Sequence, residues 1–354
     1  MRTSNFGIIL IIVLWVLIFL SALAVSLGRK GQIEISLIKN AVRKTKAKYI
    51  AWAGIIRAME LIRKDSENSD SGKIDTQYYC GIPIEEGSSP AEIFSAAAVG
   101  DGVFQIAYLQ PEDSEGKMMK RFGFVDEQRK INLNGLSLQN VNVFINFLEL
   151  LDVDPESAQQ IAFAVIDWVD TNDQPSDPVR GVEDEYYSTQ VPAYHCKNMP
   201  IESLPELLLI RGITKELYAK MVNYVTIYPP RGDFKINFNT ASGIVLQALA
   251  RSFSGSITNT SKEDADSLIT KLMASRRGDD GRDFSADDRA LELTGLPLNS
   301  AERIIFLSMR QYQINMSDFF YVRSQGKDNN SRATATVEAI VHRRDLSIVS
   351  WHRN

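Results

Sequence analysis

Residues 8–28 read IILIIVLWVLIFLSALAVSLG, 21 residues without a charge. A helix needs about 20 apolar residues to cross the hydrocarbon core of a bilayer, so this run is long enough to span one. It also exceeds the roughly 7–15 residues of a cleaved signal's apolar stretch. The helical pattern continues past Gly28. Leu37/Ile38, Ala41/Val42, Thr45, Tyr49, Trp52, Ile55/Ile56, Met59 and Ile62 recur at three- and four-residue steps, the stripe of an amphipathic helix. No proline occurs before Pro83, and Gly28, Gly31 and Gly54 are the only glycines between residues 8 and 71. The spacing predicts one helix over residues 8–64, roughly 85 Å long at about 1.5 Å per residue. Its first third would lie in lipid and its last third would pack on a globular head.

Charge separates the two ends of the chain. Residues 1–67 carry a net +7, and the remainder a net −12, within a total of −5. An acidic body argues against general binding to phosphate backbones, which needs basic surface. The two cysteines, Cys80 and Cys196, are enough for one disulfide in an oxidising compartment, and their spacing leaves pairing open.

Residues 65–90 are polar and rich in serine and glycine, a loop composition. Two strand-like runs follow, 102–110 and 119–127, joined by the acidic turn PEDSEG, which predicts a hairpin. At the far end, 318–326, 333–344 and 346–353 predict a three-strand meander. Thr334, Thr336 and Glu338 alternate there with Ala335, Val337 and Ala339, the period of a half-buried strand. Between the strand groups, roughly 133–312, the pattern is helical. The fold class is therefore α+β: a long helix, an antiparallel sheet, and a helical domain inserted into that sheet.

DWVDTNDQPSDPVRGVEDEYY, residues 167–187, packs seven carboxylates into 21 positions. Like charges this close repel unless a cation sits among them. A solvated loop is the ordinary fate of such a run. Catalytic carboxylates need a cleft and partners that separate their pKa values, and no nucleophile motif occurs nearby, so no catalytic residue is assigned. A calcium cage fits better, because calcium takes six to eight oxygens in a flexible loop. Asp170, Asn172 and Asp173 offer closely spaced oxygens just past a helix, and the turn through Pro178 and Gly181 returns Glu183 and Asp184 to the same point. Asp167 is a further candidate that caps or ligates, and Tyr186 and Tyr187 are expected to pack. The order of residues is not that of an EF-hand.

The short leader ending in Gly7, the apolar run from Ile8 and the continuous helix resemble a type IV pilin-like precursor. Ile12 stands where most pilins carry glutamate at the fifth mature position. That departure, with YIAWAGIIRAMELI (49–62), resembles the K-type minor pseudopilins of type II secretion, the general secretion pathway protein K family. VDEQRKINLN (125–134) and INFNTASGIVLQAL (236–249) resemble that family's paired INxN segments. The resemblance covers most of residues 7–354. It implies a leader at 1–7 cut by prepilin peptidase between Gly7 and Ile8, a transmembrane part at 8–28 and an amphipathic continuation at 29–65. The pilin-like sheet would begin over 66–130, a helical domain of SAM-like or helix-hairpin type would fill 131–312, and the closing strands would occupy 313–354.

The resemblance also implies calcium in the helical domain, as a structural ion. It implies I- and J-type minor pseudopilins and the inner-membrane secretion platform as partners, and a non-enzymatic role at the pseudopilus tip. The assembly surface would use Ile12, Val42, Tyr49 and Trp52. Arg29, Lys30, Lys39, Arg43 and Lys44 follow the span, and charge bias alone would hold them in the cytoplasm. The resemblance instead places the chain in the inner membrane with its head in the periplasm. A rival reading is a membrane-tethered DNA receptor, because 207–225 and 291–306 look like helix-hairpin turns. These hairpins lack a G-x-G turn. A second acidic run, RRGDDGRDFSADD, is interleaved with arginines and reads as a solvated loop. His195 and Cys196 are too few for a zinc site.

Overall fold

In the computed structural model, the described residues are 6–67, 89–111, 118–255, 259–281, 285, 288–291 and 295–353. Residues 1–5 of the expected 1–7 leader, most of the expected 65–90 loop with Cys80, the hairpin turn at 112–117, and Asp283 and Asp287 lie outside them. The first element is one helix, α1 (Phe6–Glu67), of roughly 90 Å. Residues 7–45 are exposed except Gly31, which is half-buried. From Ala47 onward Ala47, Ile50, Ala51, Ile55, Ala58, Leu61 and Ile62 are buried, so the amphipathic stripe finds its core only in the last third.

A short helix α2 (Pro90–Phe94) leads to β1 (Ala97–Val99), β2 (Gly102–Pro111), β3 (Met118–Phe122) and β4 (Val125–Asp126). β2 and β3 form the expected antiparallel hairpin, with Tyr108 opposite Arg121. The run expected as one strand over 119–127 is broken. The chain turns at Gly123, φ +113°, and β4 leaves β2 for a different neighbour.

The insert follows. β5 (Ile131–Asn132), α3 (Val141–Leu150), α4 (Pro155–Val169), α5 (Asp184–Tyr187), α6 (Lys215–Met221) and β6 (Val225–Thr226) make its first half. β7 (Ile236–Asn237), α7 (Gly243–Arg251), α8 (Lys262–Arg276), α9 (Ser300–Met309) and β8 (Gln313–Ile314) make its second. SLPELLLI is a 3₁₀ turn at Leu204–Leu209 rather than an α-helix. Each half opens on Ile-Asn and closes when that pair meets a second short strand in parallel, β5 with β6 and β7 with β8.

The asparagines of the two INxN segments do matching work. Asn132 Oδ1 accepts from Asn134 N, and Asn237 Oδ1 from Asn239 N. The second asparagine of each reaches a distant amide, Asn134 Oδ1 taking Ile201 N at 2.7 Å and Asn239 Oδ1 taking Leu291 N at 2.8 Å. These bonds satisfy buried backbone donors that would otherwise cost free energy.

The chain returns as β9 (Phe319–Asp328), β10 (Thr334–His342) and β11 (Ile348–Arg353), the expected meander. The sheet order is β1-β2-β9-β10-β11, with β3 on β2 and β4 on β9, and every pair is antiparallel. Even-numbered residues of β9 (Phe320, Val322) and odd-numbered residues of β10 (Val337, Ala339, Val341) turn inward to form one core with α1. The insert has a second core, centred on Phe144, Phe147, Val165, Leu246 and Leu272, which also takes in Ile340 of β10 and packs against Phe319 and Tyr321 of β9. Between them sits a buried polar belt. Asp126 Oδ2 accepts from Asn237 Nδ2 at 3.0 Å and from Thr240 Oγ1 at 2.6 Å.

Candidate functional site

The acidic loop begins where α4 ends. Asp154 caps that helix through Ser157 N, and its apolar face buries Ala158, Ile161, Ala162, Val165 and Trp168. The same face carries Asp167 into the interior, fully buried. Its Oδ1 accepts from Ser176 N at 2.7 Å and its Oδ2 from Val182 N at 2.6 Å, so one carboxylate clasps both limbs of the loop. Asp170 is the helix C-cap, and its Oδ1 accepts from Asn172 N. Asp177 Oδ1 takes the amides of Val179 and Arg180, which folds the chain back over the cluster.

Carboxylate oxygens of Asp167, Asp170 and Glu183 lie within 4.8 Å of one another. Glu183 is 6% exposed, and neither of its oxygens has a hydrogen-bond partner. Burial pushes the Glu183 carboxyl up to about 7, despite a contact with the Cys196 thiol, and the neighbouring charges of Asp167, Asp170 and Asp173 add to the rise. Burial likewise raises Asp167 and Asp170. No lysine or arginine among the described residues pairs with these three carboxylates; Arg180 turns instead to Asp177 and Glu156. Three converging carboxylates with two orphaned oxygens are the arrangement a hard cation would neutralise.

Three expected ligands stand elsewhere. Asp184 points away and binds His195 Nδ1 at 2.8 Å and Cys196 N at 2.6 Å; the His195 contact holds its carboxyl below the usual range. The reason is local. Glu183 is extended (φ −123°, ψ −164°), and successive side chains of extended backbone leave on opposite sides. Asn172 Oδ1 accepts from Gln174 N, and Asp173 Oδ1 accepts from Asn198 Nδ2 at 2.7 Å, so both brace the loop. Asp167, only a secondary candidate from the sequence, is the centre of the cluster. Tyr187 packs as expected, edge-on to Trp168 with centroids 5.1 Å apart. Cys196 is buried and free, and its thiol donates to Asp167 O at 3.5 Å.

On α1, Ile12, Val42 and Tyr49 are exposed; Val42 and Tyr49 share the head-free side of the helix with Ile35, Ile38 and Ile56, and Ile12 stands about 100° round from them. Trp52 differs. It is half-buried against Trp351 of β11, centroids 6.2 Å apart, so the head itself covers much of it. The first hairpin turn packs helices: an added Cβ at Gly212 would lie 2.6 Å from Ile161 Cγ1 of α4.

The family model for type II secretion system protein K matches residues 129–230, from just before β5 to just after β6. The type II secretion system protein K of Pectobacterium carotovorum subsp. carotovorum is 22% identical over 94% of this chain and 91% of its own length. That of Klebsiella pneumoniae is 31% identical over 38% of this chain, a match spanning 43% of that protein. The crystal structure of the GspK-GspI-GspJ complex from the type 2 secretion system of enterotoxigenic Escherichia coli aligns over 90% of this chain and 99% of that one, with a TM-score of 0.62 at 16% identity. That likeness speaks for the fold. Together with the anchor-length helix and the helical insert within an antiparallel sheet, these matches give residues 129–230 the protein K domain of type II secretion and make the chain similar, over nearly its whole length, to the type II secretion system protein K, a minor pseudopilin of that system.

Proposed function

We propose that this chain is a non-enzymatic subunit at the tip of a short periplasmic pseudopilus, held in the inner membrane by residues 8–28 until assembly. The observation that carries the reading is the asymmetry of α1. One side is buried against the sheet, while the other presents an apolar row, Ile35, Ile38, Val42, Tyr49 and Ile56, continuous with the membrane span. Such a row at helical spacing is what a neighbouring helix packs against. The solved complex that this fold resembles joins GspK to GspI and GspJ, which supports I- and J-type minor pseudopilins as the neighbours. The bulk of the insert, beyond the sheet, would leave no room for a further subunit above.

The same reading includes removal of residues 1–7 by prepilin peptidase and contact with the inner-membrane platform. Ile12 at the fifth mature position suits a subunit that need not offer a carboxylate to a neighbour's amino terminus. A structural calcium ion would be held by Asp167, Asp170 and Glu183, with remaining ligands from carbonyls and water. Burial pushes the Cys196 thiol up to about 12.

The test is assembly. Val42→Asp and Tyr49→Glu, on the free side of α1, should abolish co-purification with the I- and J-type partners while the thermal midpoint of the head stays unchanged. Normal co-purification of both variants would sink the assignment of this face. The DNA-receptor alternative gains nothing from the turn at Gly212, which is filled by Ile161, or from the relatives above, all of which carry secretion names.

A further inference from the structure

Between the span and the head, α1 is strongly cationic. Residues 29–48 hold Arg29, Lys30, Lys39, Arg43, Lys44, Lys46 and Lys48 against Glu34 alone. Lys46 is tied to Asp101 and Asp328 of the head at 3.1 and 3.0 Å. The other six are exposed, and none forms an ion pair among the described residues. Their placement on the helix is ordered. Stepping at 3.6 residues per turn, Ile35, Ile38, Val42 and Tyr49 fall in one row. Lys30 and Lys48 flank it on one side, with Lys39 and Arg43 on the other, and Arg29 and Lys44 stand nearly opposite. The sheet holds the opposite side through Ala47, Ile50, Ala51 and Ile55, so the acidic head does not obstruct the row.

An apolar row bordered by cations on both flanks is the pattern of a helix that lies in the surface of an anionic bilayer. A partner helix covers the row and one flank at most, whereas a lipid surface meets both. In an upright helix the cations from Lys39 to Lys48 would stand roughly 15–30 Å above the span. That is beyond the headgroups and beyond a Debye length of about 8 Å, so the surface is useful to lipid only if the helix bends. Gly28 and Gly31 stand at the boundary. An added Cβ at either meets nothing within 4 Å, so packing does not require glycine there. Yet glycine costs a helix interior about 1 kcal/mol relative to alanine and is a common site of kinks.

We propose that in the unassembled subunit α1 bends at Gly28–Gly31 and residues 29–49 lie on the anionic phospholipid surface, apolar row inward and lysines on the headgroups. Assembly then lifts the segment upright, because a partner helix and the bilayer compete for one row. The inference rests on the reading of residues 8–28 as a membrane anchor.

The experiment uses the full chain in nanodiscs of phosphatidylcholine with or without phosphatidylglycerol. Energy transfer is read from a donor dye at exposed Thr334 to acceptor-labelled headgroups. Phosphatidylglycerol should raise transfer at low salt, and high salt should remove the rise. Reversal of Lys39, Arg43, Lys44 and Lys48 to glutamate should abolish it, each cation weighting the lipid-bound form about fivefold. Gly28→Leu/Gly31→Leu should lower transfer while every charge is kept. Equal transfer in the two lipids overturns the proposal. So does a charge-reversed variant that keeps its lipid dependence but loses the partner pseudopilins, which would make the cations a protein interface. Carbonate extraction of the same samples reads the span separately: a chain that washes off loses the anchor reading, and the proposal with it.

Discussion

Gly181 sets how closely the acidic loop can wrap its own carboxylates. A Cβ there would lie 2.6 Å from Asp167 Oδ2 and 2.8 Å from the Asp177 carbonyl oxygen, inside the distance at which heavy atoms pack. Gly181→Ala must therefore push Asp167 off the amides of Ser176 and Val182. Calorimetric titration of calcium into a chelator-stripped head, residues 30–354, should show a dissociation constant of roughly 10⁻⁴–10⁻³ M, the range of extracellular sites. Gly181→Ala should weaken binding about tenfold, and Asp170→Ala/Glu183→Ala should lose it, with the far-ultraviolet spectrum unchanged. No heat from the unsubstituted head would make the loop a solvated surface. The sequence displayed the density of oxygens and the turn that returns Glu183. It could not display their direction. Glu183 and Asp184 are neighbours of like chemistry on extended backbone, and only one of them can face the cluster.

Among the elements, α9 shows how one residue ties a helix start to the rest of the insert. Asn299 and Glu302 form a reciprocal cap, with Glu302 N donating to Asn299 Oδ1 and Asn299 N to Glu302 Oε2. Glu302 also receives Lys271 Nζ of α8 at 2.6 and 2.7 Å and the Ser267 hydroxyl at 2.6 Å. Burial pushes the Glu302 carboxyl up, but the Lys271 ammonium and the donors from Ser267 and Asn299 outweigh it, and the net shift is downward. A carboxyl depressed in the folded state binds fewer protons there than in the unfolded chain. Its stabilisation is thus present above the unfolded value of about 4.3 and lost as pH falls through the folded one. Glu302→Gln should cost about 2 kcal/mol at neutral pH, and that deficit should shrink on acidification, followed by thermal melts from pH 7 downward. A deficit constant with pH would mean that the charge is not what Glu302 contributes. The long helix was legible in its stripe. The parallel pairs β5–β6 and β7–β8 were not, because a two-residue strand has no period to read.

At the scale of the molecule, the division between sheet and insert was visible as a change from alternating to helical periodicity, and the structure has two cores, the insert's also meeting Phe319, Tyr321 and Ile340 on the sheet. What periodicity could not convey is the join. Asp126, Asn237, Thr240 and Ser317 are buried polar residues drawn from three segments, with Asn237 111 positions from Asp126 and 80 from Ser317, and nothing in their local sequence announces the meeting. A polar belt of this kind fixes orientation without merging two hydrophobic cores, which predicts that a perturbation of one core is only weakly felt in the other. Calcium provides the perturbation. An ion bound only by the folded loop, at about 1 mM and with a dissociation constant near 0.1 mM, stabilises the insert by about 1.4 kcal/mol. Adding chelator should therefore speed amide exchange in α4, residues 167–187 and α5 by roughly tenfold, the ratio that this free energy sets. The amides of β9 and β10, whose inward residues pack on α1, should exchange at their former rate. Equal acceleration in both places would show that the belt couples the cores into one cooperative unit. Unchanged exchange in 167–187 would remove calcium from the loop and leave Glu183 buried without a counter-ion.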